Sequence, residues 1–103
     1  EDELEVPTAY ALSQNYPNPF NPSTTIEFRV AGTGSRNSEP GTPMVRLVVY
    51  DLLGRDVATL VNKQMAPGIY TVSFDASHLT SGVYFCRMTA GEFVATVRMM
   101  LVK

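Results

Sequence analysis

Three prolines within six residues, Pro17, Pro19 and Pro22, limit what this chain can fold into more than any other feature. Each fixes φ and lacks a backbone N–H, so the segment QNYPNPFNPSTTI, residues 14–26, cannot lie inside a helix or a central strand. Asn18 and Asn21 each precede a proline and are pushed toward extended conformations. From there their side chains can hydrogen-bond the nearby backbone and hold a tight corner. Phe20 is the large apolar group available to anchor that corner to a core. A rigid interdomain linker has a similar composition, but it would leave Phe20 and Tyr16 in water. The segment is therefore expected to be a structural lock with Phe20 buried.

The rest of the chain supplies the core that such a lock needs. At 103 residues it is expected to be one domain, burying about two thirds of the surface its unfolded form exposes. The net charge is −2 and the eight Lys and Arg residues are scattered. No nucleic-acid or anionic-membrane footprint is present, and a partner has to be found by shape. The single Cys86 excludes an internal disulfide and a cysteine-rich metal cage. No run is apolar enough to span a bilayer as a helix. The opening residues EDELEVPT lack a signal-peptide pattern and are expected to be an acidic linker from an upstream passenger domain.

Short alternating segments separated by turn residues dominate the remainder of the chain. Residues 9–14 suggest a brief first strand with Tyr10 and Leu12 on one face. Residues 24–30 alternate Ile26, Phe28 and Val30 against Thr25, Glu27 and Arg29, the period of a half-buried strand. Residues 31–43 are Gly, Ser, Thr and Pro with almost no apolar content and read as a mobile loop. Residues 44–50 turn Val45, Leu47 and Val49 inward, and a turn at 51–54 puts Gly54 at positive φ. Residues 55–61 read as a strand, although Val57, Leu60 and Val61 fit a helical spacing nearly as well. Pro67 and Gly68 then turn the chain into a strand at 68–75 carrying Tyr70, Val72 and Phe74. Leu79 plugs the next loop, Tyr84, Cys86 and Met88 line a strand at 83–89, and Ala90 and Gly91 make a hairpin to a last strand at 93–102. About seven short strands and no capped amphipathic helix predict an all-β, immunoglobulin-like antiparallel sandwich.

The last strand breaks the alternation. Phe93, Ala95, Val97, Met99 and Leu101 share one face, yet Met100 and Val102 make the other face apolar too. Either both faces are covered, or this is a recognition strand whose unpaired apolar edge serves as a template for a partner.

Catalytic chemistry is hard to find. Asp75, Ser77 and His78 are neighbours in an expected turn, and sequence neighbours do not supply the geometry of a triad. Cys86 points inward with no second histidine to activate it, so it is expected to be an inert core residue. Asp51, Asp56 and Asp75 sit near turns without the spacing that gathers oxygens on one calcium ion. No cofactor, no metal site and no small-molecule substrate is expected, and the chain is read as not an enzyme.

Taken together, LSQNYPNPFNPSTTI, VRLVVYDLLGRDVATLV, GIYTVSF, SGVYFCRMTAGEF and VRMMLVK resemble the type A C-terminal sorting domain, or Por secretion tail, of the bacterial type IX secretion system. The resemblance runs from Leu12 to Lys103. The same fold resembles the Ig-like domain of the flagellar hook-capping protein. Family motif positions fall on Pro17, Asn18, Pro19, Phe20, Asn21 and Pro22, on Tyr50, Asp51 and Gly54, on Gly68, Tyr70 and Phe74, and on Gly82 and Tyr84. Phe74 stands where many relatives carry Trp, and residues 31–43 are a longer insertion. Arg98, Met99, Met100, Leu101, Val102 and Lys103 match the short basic-apolar end on which export depends in that family. The resemblance implies an upstream passenger, recognition by the type IX outer-membrane translocon, a sortase-like surface protease as a second partner, and transit from the periplasm to the cell surface or medium. An Ig-like spacer or adhesion module packed on a neighbouring catalytic domain is the alternative.

Overall fold

The computed structural model of the protein describes residues 9–32 and 43–103. The expected acidic linker at 1–8 and most of the expected loop at 31–43 lie outside the described residues. Seven strands run in order: β1 (Ala11–Leu12), β2 (Ser23–Val30), β3 (Met44–Tyr50), β4 (Asp56–Gln64), β5 (Gly68–Asp75), β6 (Gly82–Ala90) and β7 (Phe93–Leu101). They form a three-stranded sheet, β1-β2-β5, and a four-stranded sheet, β4-β3-β6-β7, antiparallel throughout. This is the expected sandwich, with the fourth strand on the sheet of the third, sixth and seventh.

Alternation builds the core. Ile26, Phe28 and Val30 of β2, Val45, Leu47 and Val49 of β3, Cys86 and Met88 of β6, and Met99 and Leu101 of β7 are all buried between the sheets. Phe74 joins them from β5, while Tyr70 and Val72 are half-buried against the same cluster. Phe20 is buried as expected, its ring 6.1 Å from that of Phe74. Tyr16 is not: it is 80% exposed, and only its backbone is engaged, exchanging bonds of 2.9 and 3.0 Å with Thr25.

The helical spacing in β4 has a structural cause. Pairing of β3 with β4 slips between Leu47 and Val48 and again between Val49 and Tyr50, so that Leu60 and Val57 fall outside the register. Each bulge resets the period-2 pattern by one residue. Two resets within five residues make a strand look helical in sequence.

The two G-x-Y motifs are the same device used twice. The Tyr84 hydroxyl donates to the Thr80 carbonyl at 2.7 Å, and the Tyr70 hydroxyl donates to the Ala66 carbonyl at 2.6 Å. The Tyr84 ring is buried in the core and the Tyr70 ring packs half-buried against it, while each hydroxyl ties the preceding turn to its strand, the tyrosine corner of Ig-like sandwiches. The turn after Tyr50 is held by Asp51, whose carboxylate accepts from the N–H groups of Leu53 and Arg55 at 2.9 Å and from Arg55 Nε at 2.8 Å. Gly54 has the expected positive φ, 84°.

Candidate functional site

The proline corner and the last strand meet, and the corner is locked from within before it reaches that strand. Asn15, buried, donates from Nδ2 to the Pro17 carbonyl and to Thr24 Oγ1, both at 3.1 Å. Thr24, also buried, donates from Oγ1 to the Pro17 carbonyl at 2.8 Å. Gln14 Nε2 donates to Asn15 Oδ1 at 2.7 Å. The local locking expected of Asn18 and Asn21 therefore belongs to Asn15 and Thr24. Thr24 is in phase with the inward residues of β2, but nothing in its spacing pairs it with Asn15, because the pair is formed only when the chain folds back on itself. Among the described residues Asn21 makes no side-chain hydrogen bond, and Asn18 is used elsewhere.

From this base the corner lies along the outer edge of β7. Phe20 N–H donates to the Met100 carbonyl at 2.9 Å, and Val102 N–H donates to the Phe20 carbonyl at 3.0 Å. Asn18 Oδ1 accepts from Met100 N–H at 2.9 Å, and Asn18 Nδ2 lies 3.5 Å from the Arg98 carbonyl. Gln14 Nε2 donates to that same carbonyl at 2.6 Å. Lys103 is tied down as well: its N–H donates to Ser81 Oγ at 2.9 Å, and its ammonium donates to the Ser77 and Leu79 carbonyls at 2.7 and 2.6 Å. The outer edge is thus occupied where residues 98, 100 and 102 present their backbone. The free apolar edge considered from sequence does not exist over this stretch.

What the strand still offers is its outward side chains. Met99 and Leu101 are buried in the core, whereas Arg98 and Val102 are exposed and Met100 is half-buried. Across the ladder, Arg98 lies beside Phe85 and Met100 beside Val83, and Phe85 in turn pairs with Tyr50. The turn after Tyr50 adds Leu52 and Leu53, 67% and 76% exposed. A depression of about 360 Å³ is bordered by Tyr50, Leu52, Phe85, Arg87 and Thr96. Arg87 lies over the Tyr50 ring, 5.6 Å from its centroid. The result is an arginine-edged apolar surface continuous with the outward face of residues 98–102. The two leucines are consecutive in a turn and carry no periodic signal.

The other polar residues considered from sequence are engaged in structure. The Asp75 carboxylate accepts from Ser77 N–H at 2.9 Å, which with the Ser77 side chain holds its pKa below the ordinary value. It faces Ser77 rather than orienting a base toward a nucleophile. Burial pushes the Cys86 thiol up to about 12, so it carries almost no thiolate at neutral pH. Among the described residues, no group of three or more His, Cys, Asp or Glu side chains is placed to hold a metal ion.

A family model for the secretion system C-terminal sorting domain matches residues 14–103, a span that begins at the first residue of the corner and includes the whole strand it holds. A search of curated proteins gives no match. The sorting-tail family is not a family of catalysts. The chain belongs to the secretion system C-terminal sorting domain family, and as such carries a sorting signal for type IX secretion, a route across the outer membrane to the cell surface or the extracellular space.

Proposed function

We propose that residues 9–103 are a non-catalytic sorting domain that directs a larger secreted protein through the type IX system, with residues 1–8 as the linker from its passenger. The outer-membrane translocon reads the side chains of Arg98, Met100 and Val102 on the folded domain, together with Val83 and Phe85 beside them. A sortase-like surface protease acts afterwards on the exported protein. The observation that carries this reading is that the residues matching the family's export end form a finished strand: its inner face is core, its outer edge is occupied, and one apolar, arginine-edged face remains for a partner. Affinity then comes from shape and buried apolar area, with the arginines setting register. An Ig-like spacer is not favoured, because a spacer has no use for the family's export end.

A fluorescent reporter carrying its own inner-membrane signal and fused to residues 1–103 tests this in a type IX host. The reporter is expected at the surface or in the medium. Folded reporter held in the periplasm would count against sorting and for the spacer. Deleting residues 99–103 is a poor control, because it removes the buried Met99 and Leu101 and opens the core.

A further inference from the structure

An edge strand that is apolar on both faces pairs readily with any strand it meets. Here the outer edge of β7 is closed over residues 98–102 by a segment some 82 residues earlier in the chain. Asn18 and Phe20 do this together. Phe20 supplies a peptide group, accepting from Val102 N–H and donating to the Met100 carbonyl. One residue pair further along, the Asn18 side-chain amide takes the place of a peptide group, accepting from Met100 N–H and approaching the Arg98 carbonyl. A strand added from outside would need these same groups, and they are taken.

Asn18 is separable from the architecture of its own corner. Its side chain is exposed and, among the described residues, bonds only to β7, whereas Asn15 and Thr24 lock the corner itself. We propose that Asn18 is a positioning residue for export: its amide fixes residues 98–100 as a presented strand, so that a receptor reads outward side chains on a folded edge and cannot add a strand of its own there. This rests on the sorting function proposed above.

The experiment uses the reporter fusion in a type IX host with three substitutions, and follows amide hydrogen exchange on the purified fusions. Asn18→Ala is expected to speed exchange at Met100 relative to the core amide of Val49 and to lower the exported fraction about fivefold, the equivalent of one lost hydrogen bond. Asn18→Asp keeps the acceptor for Met100 N–H but turns an acceptor oxygen toward the Arg98 carbonyl, and is expected to export between the parent and Asn18→Ala. Ile26→Val lowers global stability without touching the edge and is expected to export normally. The proposal is overturned if Asn18→Ala exports as well as the parent, if exchange at Met100 is unchanged in it, or if Ile26→Val loses as much export. A parent fusion that stays in the periplasm overturns the sorting function itself, an outcome recognisable because no variant then differs.

Discussion

The edges of β7 and β4 close the same four-stranded sheet on opposite sides and are protected by different means. β4 is broken by two bulges and ends in the polar run Asn62, Lys63 and Gln64, which spoils it as a template, and among the described residues it pairs with β3 alone. Beside it, among the described residues, a slot of about 410 Å³, bordered by Phe28, Leu60, Val61, Met65 and Tyr70, separates β4 from β5. β7 has no bulge and keeps Met100 and Val102 on its outer face, and over residues 98–102 it is covered by the corner. Bulges protect an edge by distorting it, whereas a clasp protects it while leaving it regular. A strand whose outward side chains must be read in a fixed spacing needs the second method.

Phe20→Ala should be the most damaging single change, costing about 3–5 kcal/mol because it empties a buried aromatic site and loosens the bridge to β7. Leu60→Ala, on the bulged edge and half-buried, should cost about 1–2 kcal/mol. Urea unfolding measures both, and equal losses would break the contrast between the two edges. Asn15→Ala should come next at about 1–3 kcal/mol, because it strips a buried donor from the lock that supports the clasp. Tyr84→Phe should cost about 1 kcal/mol by freeing the Thr80 carbonyl, with Tyr70→Phe smaller because its corner is exposed.

Reactivity and titration probe the same packing. Cys86 should resist alkylation at pH 8 in the folded domain, since burial holds its thiol near 12, and should react once the sandwich opens. Rapid labelling of the native domain would contradict the packing of β6. At the weak end, Asp51 is held below its ordinary value, chiefly by the Arg55 N–H, so what it contributes is present above about pH 3.8 and is lost as pH falls through its lower folded value. NMR of the Leu53 and Arg55 amides should show that turn loosening in acid.

Much of this fold is legible in sequence because its strands obey one rule: the inward residues of β2, β3, β5, β6 and β7 recur at every second position, and Gly54 and Gly91 mark turns that need positive φ. β4 is ambiguous for a physical reason, since its two bulges carry the apolar residues off period. The site is legible only in part. Residues 98–103 stand out because Met100 and Val102 break the alternation, and the prolines stand out by rigidity. That the two belong together cannot be read, because the bonds joining them run between backbone groups and the amides of Gln14 and Asn18, which have no spacing to betray a partner some 80 residues away. Phe20 points to the core in sequence, but its backbone matters as much as its ring.

Export of the reporter fusion with Arg98→Ser, Met100→Ser and Val102→Ser combined is the sharpest test of whether the outward face of β7 is the address. The triple change alters that face while keeping Met99, Leu101 and every backbone bond to the corner. The expected outcome is a domain that stays folded, with unfolding cooperativity retained, and a reporter left in the periplasm. Export at the parental level would contradict this and place the address on another surface of the domain.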